Sequence, residues 1–130
     1  MSREDSPQPS IPFDTDALAL VERQARAWEN ADIPAALADF APDGVLISPG
    51  GRWQGHAAIA QALADFWKTV LSVRVTVTRA FLAGDLGAAE WTWEETRLDG
   101  SLHRAEDGIV FVLAAGKIVY WREYFDTANF

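Results

Sequence analysis

The chain has no cysteine among its 130 residues. That excludes disulfides and thiolate metal sites, and it suits a reducing cytoplasm, where we expect the protein to reside. Histidine is nearly as scarce. His56 and His103 are the only two, and no His-x-x-x-His or equivalent spacing is present, so no bound metal is expected. Basic residues are few, with 11 Lys and Arg against 19 Asp and Glu and a formal net charge of -8. That field opposes binding to nucleic acid or to anionic membranes. No apolar run approaches the ~20 residues of a membrane span. The first residues, MSREDSPQPS, carry no apolar signal segment, so export by that route is not expected. There is no phosphate loop, dinucleotide glycine pattern or Gly-x-Ser-x-Gly elbow, and no cofactor is expected.

What is present is a heavy aromatic load, six Trp in 130 residues. Trp buries a large area and keeps one N–H donor, a combination favoured at pockets and interfaces. About half of the set should be core. Trp28, Trp53, Trp91, Trp93 and Trp121 are the candidates for lining a flat, apolar ligand site.

Residues 1–12 hold three of the six Pro and read as a flexible tail. A single domain follows over 13–130. Helical periodicity predicts a first helix over Asp16–Asn30, N-capped by Asp14 or Thr15, with Leu18, Val21, Ala25 and Trp28 buried. A second helix runs over Ile33–Phe40, capped by Asp32, and a third over Ala57–Lys68. Val45–Ser48 and Arg52–Gln54 are short strands. Val73, Val75 and Val77 alternate with polar residues, the period of a strand. Hairpin-sized loops at Gly84–Gly87, Leu98–Ser101 and Ala114–Lys117 then link four long strands into an antiparallel meander. The expected fold is α+β: three N-terminal helices on one face of a strongly bent antiparallel sheet.

Within those strands, acids fall in apolar register. Trp91, Trp93 and Glu95 share one face of their strand. So do His103, Ala105, Asp107, Ile109 and Phe111 on the next, and Val119, Trp121, Glu123 and Phe125 on the last. Desolvating a carboxylate is costly, so each needs a partner or a task.

The chain resembles the SnoaL-like branch of the nuclear-transport-factor-2-like superfamily, over about residues 14 to 128. The resemblance rests on Gly116-Lys117-Ile118 followed by Trp121-Arg122-Glu123-Tyr124-Phe125-Asp126. It is supported by Trp28–Asp32, Phe40–Val45 and Gly55–Ile59. It implies a cone-shaped, cystatin-like fold with a ligand cavity at its open end, and a homodimer through the outer sheet face. For that face the sequence offers Tyr120, Tyr124, Ile118, Val110, Val112 and Thr92. Limonene-epoxide-hydrolase-type members use an aspartate, an arginine and a second aspartate, with a tyrosine and an asparagine holding water. Glu123 and Glu95 fall on the two carboxylate positions. Trp93, Leu46 and Ser48 occupy the other three, so that mechanism lacks its arginine and its water ligands. Asp107 falls where ketosteroid isomerases and polyketide cyclases carry a cavity aspartate.

The expected catalytic set is therefore Asp107, Glu123, Glu95 and His103. Asp107 desolvated in an apolar cavity would serve as acid or base near neutral pH. Against that stands an edge carboxylate paired with Arg104 or His103. Glu123 is either a cavity-floor carboxylate or an ion-pair partner of Arg97 or Arg74. Glu95, nearer a strand end, reads as solvated. His103 lies close to a turn and reads as a surface residue. The expected function is proton transfer or water addition on a small apolar, oxygen-bearing molecule, of isomerase, cyclase or hydrolase type. The alternatives are a binding or regulatory module for a hydrophobic ligand and a structural dimer with a filled core.

Overall fold

A computed structural model of the protein describes residues 15–128; the expected tail over 1–12 and the proposed cap Asp14 lie outside them. The elements are α1 (Thr15–Glu29), α2 (Ile33–Ala38), β1 (Phe40–Ser48), β2 (Gly51–Gln54), α3 (His56–Trp67), β3 (Val70–Ala83), β4 (Leu86–Arg97), β5 (Leu102–Ala114) and β6 (Lys117–Tyr124). This is the expected α+β architecture of N-terminal helices on a curled sheet.

The helices form where the periodicity places them. On α1, Ala17, Leu20, Val21 and Ala25 are buried. So is Gln24, whose Nε2 donates to the Ala36 carbonyl at 2.9 Å and ties α1 to α2. Asp32 caps α2 as expected, its Oδ1 accepting from the Ala35 N–H at 3.1 Å. α2 ends before Phe40, which begins β1 instead. Ile59 and Leu63 supply the buried face of α3.

The sheet runs in the order β2-β1-β6-β5-β4-β3. The meander β3–β6 is antiparallel throughout, but β1 pairs with β6 in parallel, so the sheet is mixed rather than wholly antiparallel. A register shift between Val112 and Leu113 places Leu113 opposite Ile118. Ile118 thereby turns into the core at 0 % exposure, not onto the outer face as the alternation predicts. Extra residues at β-bulges reverse side-chain parity in this way.

β3 is an edge strand. The last turns of α1 lie against it. Glu29 Oε2 accepts from the Val75 N–H at 2.6 Å, and Arg26 Nη2 donates to the Val75 carbonyl. Arg26 and Glu29 are themselves paired at 3.3 Å. The core sits between the helices and the inner sheet face and includes Trp91, Trp121, Phe111, Ile109 and Ile118.

Candidate active site

β4, β5 and β6 bring the site together. Trp91 stands directly opposite Asp107, and Ile109 directly opposite Glu123. Asp107, two residues before Ile109, is thus diagonal to Glu123 on the same face, within reach for long side chains. Trp91 Nε1 donates to Asp107 Oδ2 at 2.9 Å, and Trp121 Nε1 donates to Glu123 Oε2 at 2.9 Å. The two indoles touch, with ring centroids 5.8 Å apart, and Phe111 stacks on Trp121 at 5.5 Å.

Asp107 is buried and Glu123 half-buried. With both carboxyls ionised, Asp107 Oδ1 has no donor. The neighbouring Glu123 carboxyl acts on Asp107 as a hydrogen-bonding group, and two carboxyls can bond only if one keeps a proton. Burial pushes Asp107 up to about 6, against the pull of the Trp91 N–H and the Glu123 carboxyl. Burial, reinforced by the charge on Asp107, pushes Glu123 up to about 8, against the Trp121 N–H. Near neutral pH the pair therefore holds one proton. The two midpoints belong to the pair jointly.

Glu95 is placed differently. It is not solvated, as its position near the strand end predicts, but buried. Its Oε1 accepts from Trp93 Nε1 at 2.9 Å and its Oε2 from Arg97 Nε at 2.9 Å. Arg97 is thereby committed to Glu95 and not to Glu123. Arg104, the expected rival partner of Asp107, instead lies beside Glu94 and Glu106. His103 is half-buried, with Nε2 3.0 Å from Ser101 Oγ. Glu95 and His103 face each other across β4 and β5, one end removed from the Asp107–Glu123 pair.

The aromatic set packs closely. Trp91 and Trp121 are buried, while Trp28 is partly buried against Phe66 and Trp93. Trp53 lies on β2 opposite Leu46 and packs on the core margin. A cleft of about 470 Å³ is lined by Thr78, Arg79, Glu90, Thr92, Glu106 and Gly108, with Trp91 and Asp107 also at its margin. A second hollow of about 410 Å³, between α1 and α2, lies away from the carboxyls. No group of three or more His, Cys, Asp or Glu among the described residues is placed to hold a metal ion. No described helix is long and apolar enough to cross a membrane. Sequence reasoning missed the indole donors: Trp91 meets Asp107 only through the register between β4 and β5, whereas Trp93–Glu95 and Trp121–Glu123 are i, i+2 neighbours on one strand face, a spacing that could have shown them.

Residues 21–121 match the SnoaL-like domain, and the chain belongs to that family. Comparison with curated proteins returned no match. Among solved structures, the fold is similar to a hypothetical protein with a ketosteroid-isomerase-like fold from Catenulispora acidiphila DSM 44928, in complex with trimethylamine. That similarity has a TM-score of 0.79 at 21 % identity, over 85 % of this chain and 87 % of that one. A provisionally assigned polyketide cyclase from Pseudomonas putida KT2440 has a TM-score of 0.73 at 23 % identity, over 85 % and 91 % of the two chains. An LEH-like epoxide hydrolase from M. tuberculosis has a TM-score of 0.76 at 26 % identity, over 91 % and 88 %.

Proposed function

We propose that the protein is a small-molecule enzyme in which Asp107 and Glu123 move a proton on an apolar, oxygen-bearing substrate. The observation that carries this reading is the pair of neighbouring carboxyls in an apolar setting, in which the buried Asp107 Oδ1 has no donor. An ionised carboxylate beside a protonated one offers a base and an acid together near neutral pH. Asp107 would abstract a proton or activate water, and Glu123 would protonate or hydrogen-bond the developing oxyanion. Isomerase, cyclase and hydrolase outcomes share these steps. Relatives described as cyclase and epoxide hydrolase support this range of chemistry. We read the molecule further as a two-fold dimer through the outer sheet face.

The test is turnover of apolar epoxides, unsaturated ketones and β-keto esters across pH. We expect kcat/KM to follow a bell with limbs near 6 and 8, and Asp107→Asn to abolish it. Turnover that survives both Asp107→Asn and Glu123→Gln would overturn the assignment. Tight ligand binding with no turnover across the panel would favour the binding module.

A further inference from the structure

Three indole N–H groups in this sheet donate to carboxylates, and the three pairs are not equivalent. Trp93 holds Glu95 at 2.9 Å, but Arg97 holds the same carboxylate at 2.9 Å, so the charge is met by a cation. Trp91 holds Asp107 and Trp121 holds Glu123, each at 2.9 Å. No cation figures among the groups acting on either of these acids. The same donor is thus used once in an ion pair and twice where a proton must be kept.

Both indoles of the second kind are immobilised. Trp91 and Trp121 are 1 % and 2 % exposed and lean on each other, and Trp121 is stacked on Phe111 at an interplanar angle of 24°. A ring held on several sides cannot turn its N–H elsewhere, and a buried indole N–H left without an acceptor is costly. Each carboxyl therefore has one oxygen fixed by a rigid donor. For Asp107 that oxygen is Oδ2, while the buried Oδ1 has no donor.

We propose that Trp91 and Trp121 are positioning residues that pin one oxygen of Asp107 and one of Glu123, so that Asp107 Oδ1 becomes the oxygen that shares a proton with Glu123. This rests on the acid–base reading above and assigns its geometry. Trp91 favours the ionised form of Asp107 by donating to it. Trp121 does the same for Glu123 and limits how tightly that acid retains its proton. Both effects oppose burial.

The experiment is a pH titration of the full chain by NMR, following Asp and Glu side-chain carboxyl carbons together with the indole N–H signals. In the wild type, the Trp91 and Trp121 indole signals should move through the same midpoints as Asp107 and Glu123. The Trp93 signal, whose carboxylate partner is also met by Arg97, serves as the internal comparison. Trp91→Phe should raise the lower midpoint, and Trp121→Phe the upper one. Each rise should be about one pH unit or more, the worth of a hydrogen bond to a charged group. Loss of packing alone lowers melting temperature without moving these midpoints. If either variant fails to fold, the wild-type indole signals decide. Flat Trp91 and Trp121 signals beside raised carboxyl midpoints would overturn the positioning role and leave the acid–base reading standing. Carboxyl midpoints at ordinary values would overturn the acid–base reading, and the positioning role with it.

Discussion

Glu95 and Asp107 are both 4 % exposed, yet removing their charges should have opposite effects. Glu95→Gln leaves the Arg97 guanidinium without its carboxylate and should cost about 1–3 kcal/mol. Asp107→Asn relieves a desolvated charge and should leave stability unchanged or raised at pH 7. Thermal melts of the two variants check this. A strongly destabilised Asp107→Asn would mark Asp107 as a structural ion-pair partner instead. The same chemistry sets a pH dependence. Folding raises Asp107 from an ordinary 3.8 to about 6 and Glu123 from 4.5 to about 8. The folded state then binds more protons than the unfolded one between pH 3.8 and 8, so stability falls as pH rises through that window. For the pair jointly the effect is on the order of a few kcal/mol, at about 1.4 kcal/mol per pH unit. Melting temperature should drop from pH 5 to pH 8 in the wild type and drop less in Asp107→Asn. A rise in the wild type over that range would contradict the assignment.

At the scale of elements, Gly44 governs how β1 meets β6. A Cβ there would lie 2.6 Å from the Ile118 carbonyl oxygen, a backbone atom that cannot swing away. Gly44→Ala should cost about 1–3 kcal/mol through overpacking, roughly 4–12 °C in melting temperature for a domain of this size. An unchanged melt would mean that β1 and β6 part without cost. The sequence marks this stretch as Pro42-Asp43-Gly44, a helix breaker, but not as a parallel contact. Strand order is set by contacts far apart in the chain, and local periodicity does not carry it. The alternation of Val73 and Val75 was legible, as were the helices and the Asp32 cap. Phe40 was not, because one apolar residue can close a helix or open a strand. Asp107 and Glu123 were legible as acids in apolar register. That they meet each other was not, since the shift at Val112 and Leu113 leaves no mark in composition.

Across the whole molecule, the inner face is filled and the outer face is partly bare. Val110 and Tyr124 are 36 % and 50 % exposed, and the Arg122 guanidinium sits 4.8 Å over the Tyr124 ring. A net charge of -8 keeps copies apart unless a specific surface draws them together. The reading of this face as a two-fold contact predicts a dimer at micromolar concentration by light scattering, and a monomer for Tyr124→Glu. A wild type that scatters as a monomer would remove the proposal without touching the active site. Ile118 cannot contribute to such a contact, because the register shift turns it inward.

The clamp of Arg26 and Glu29 on Val75 has a consequence for life in a crowded solution. A border strand displays unpaired N–H and C=O groups, and any stray extended peptide can add to them and seed fibrous growth. Here the helix supplies a donor and an acceptor from side chains and satisfies both groups of Val75. The ion pair imitates the neighbouring strand that β3 does not have, and it blocks midway along the border the site where an intruder would dock.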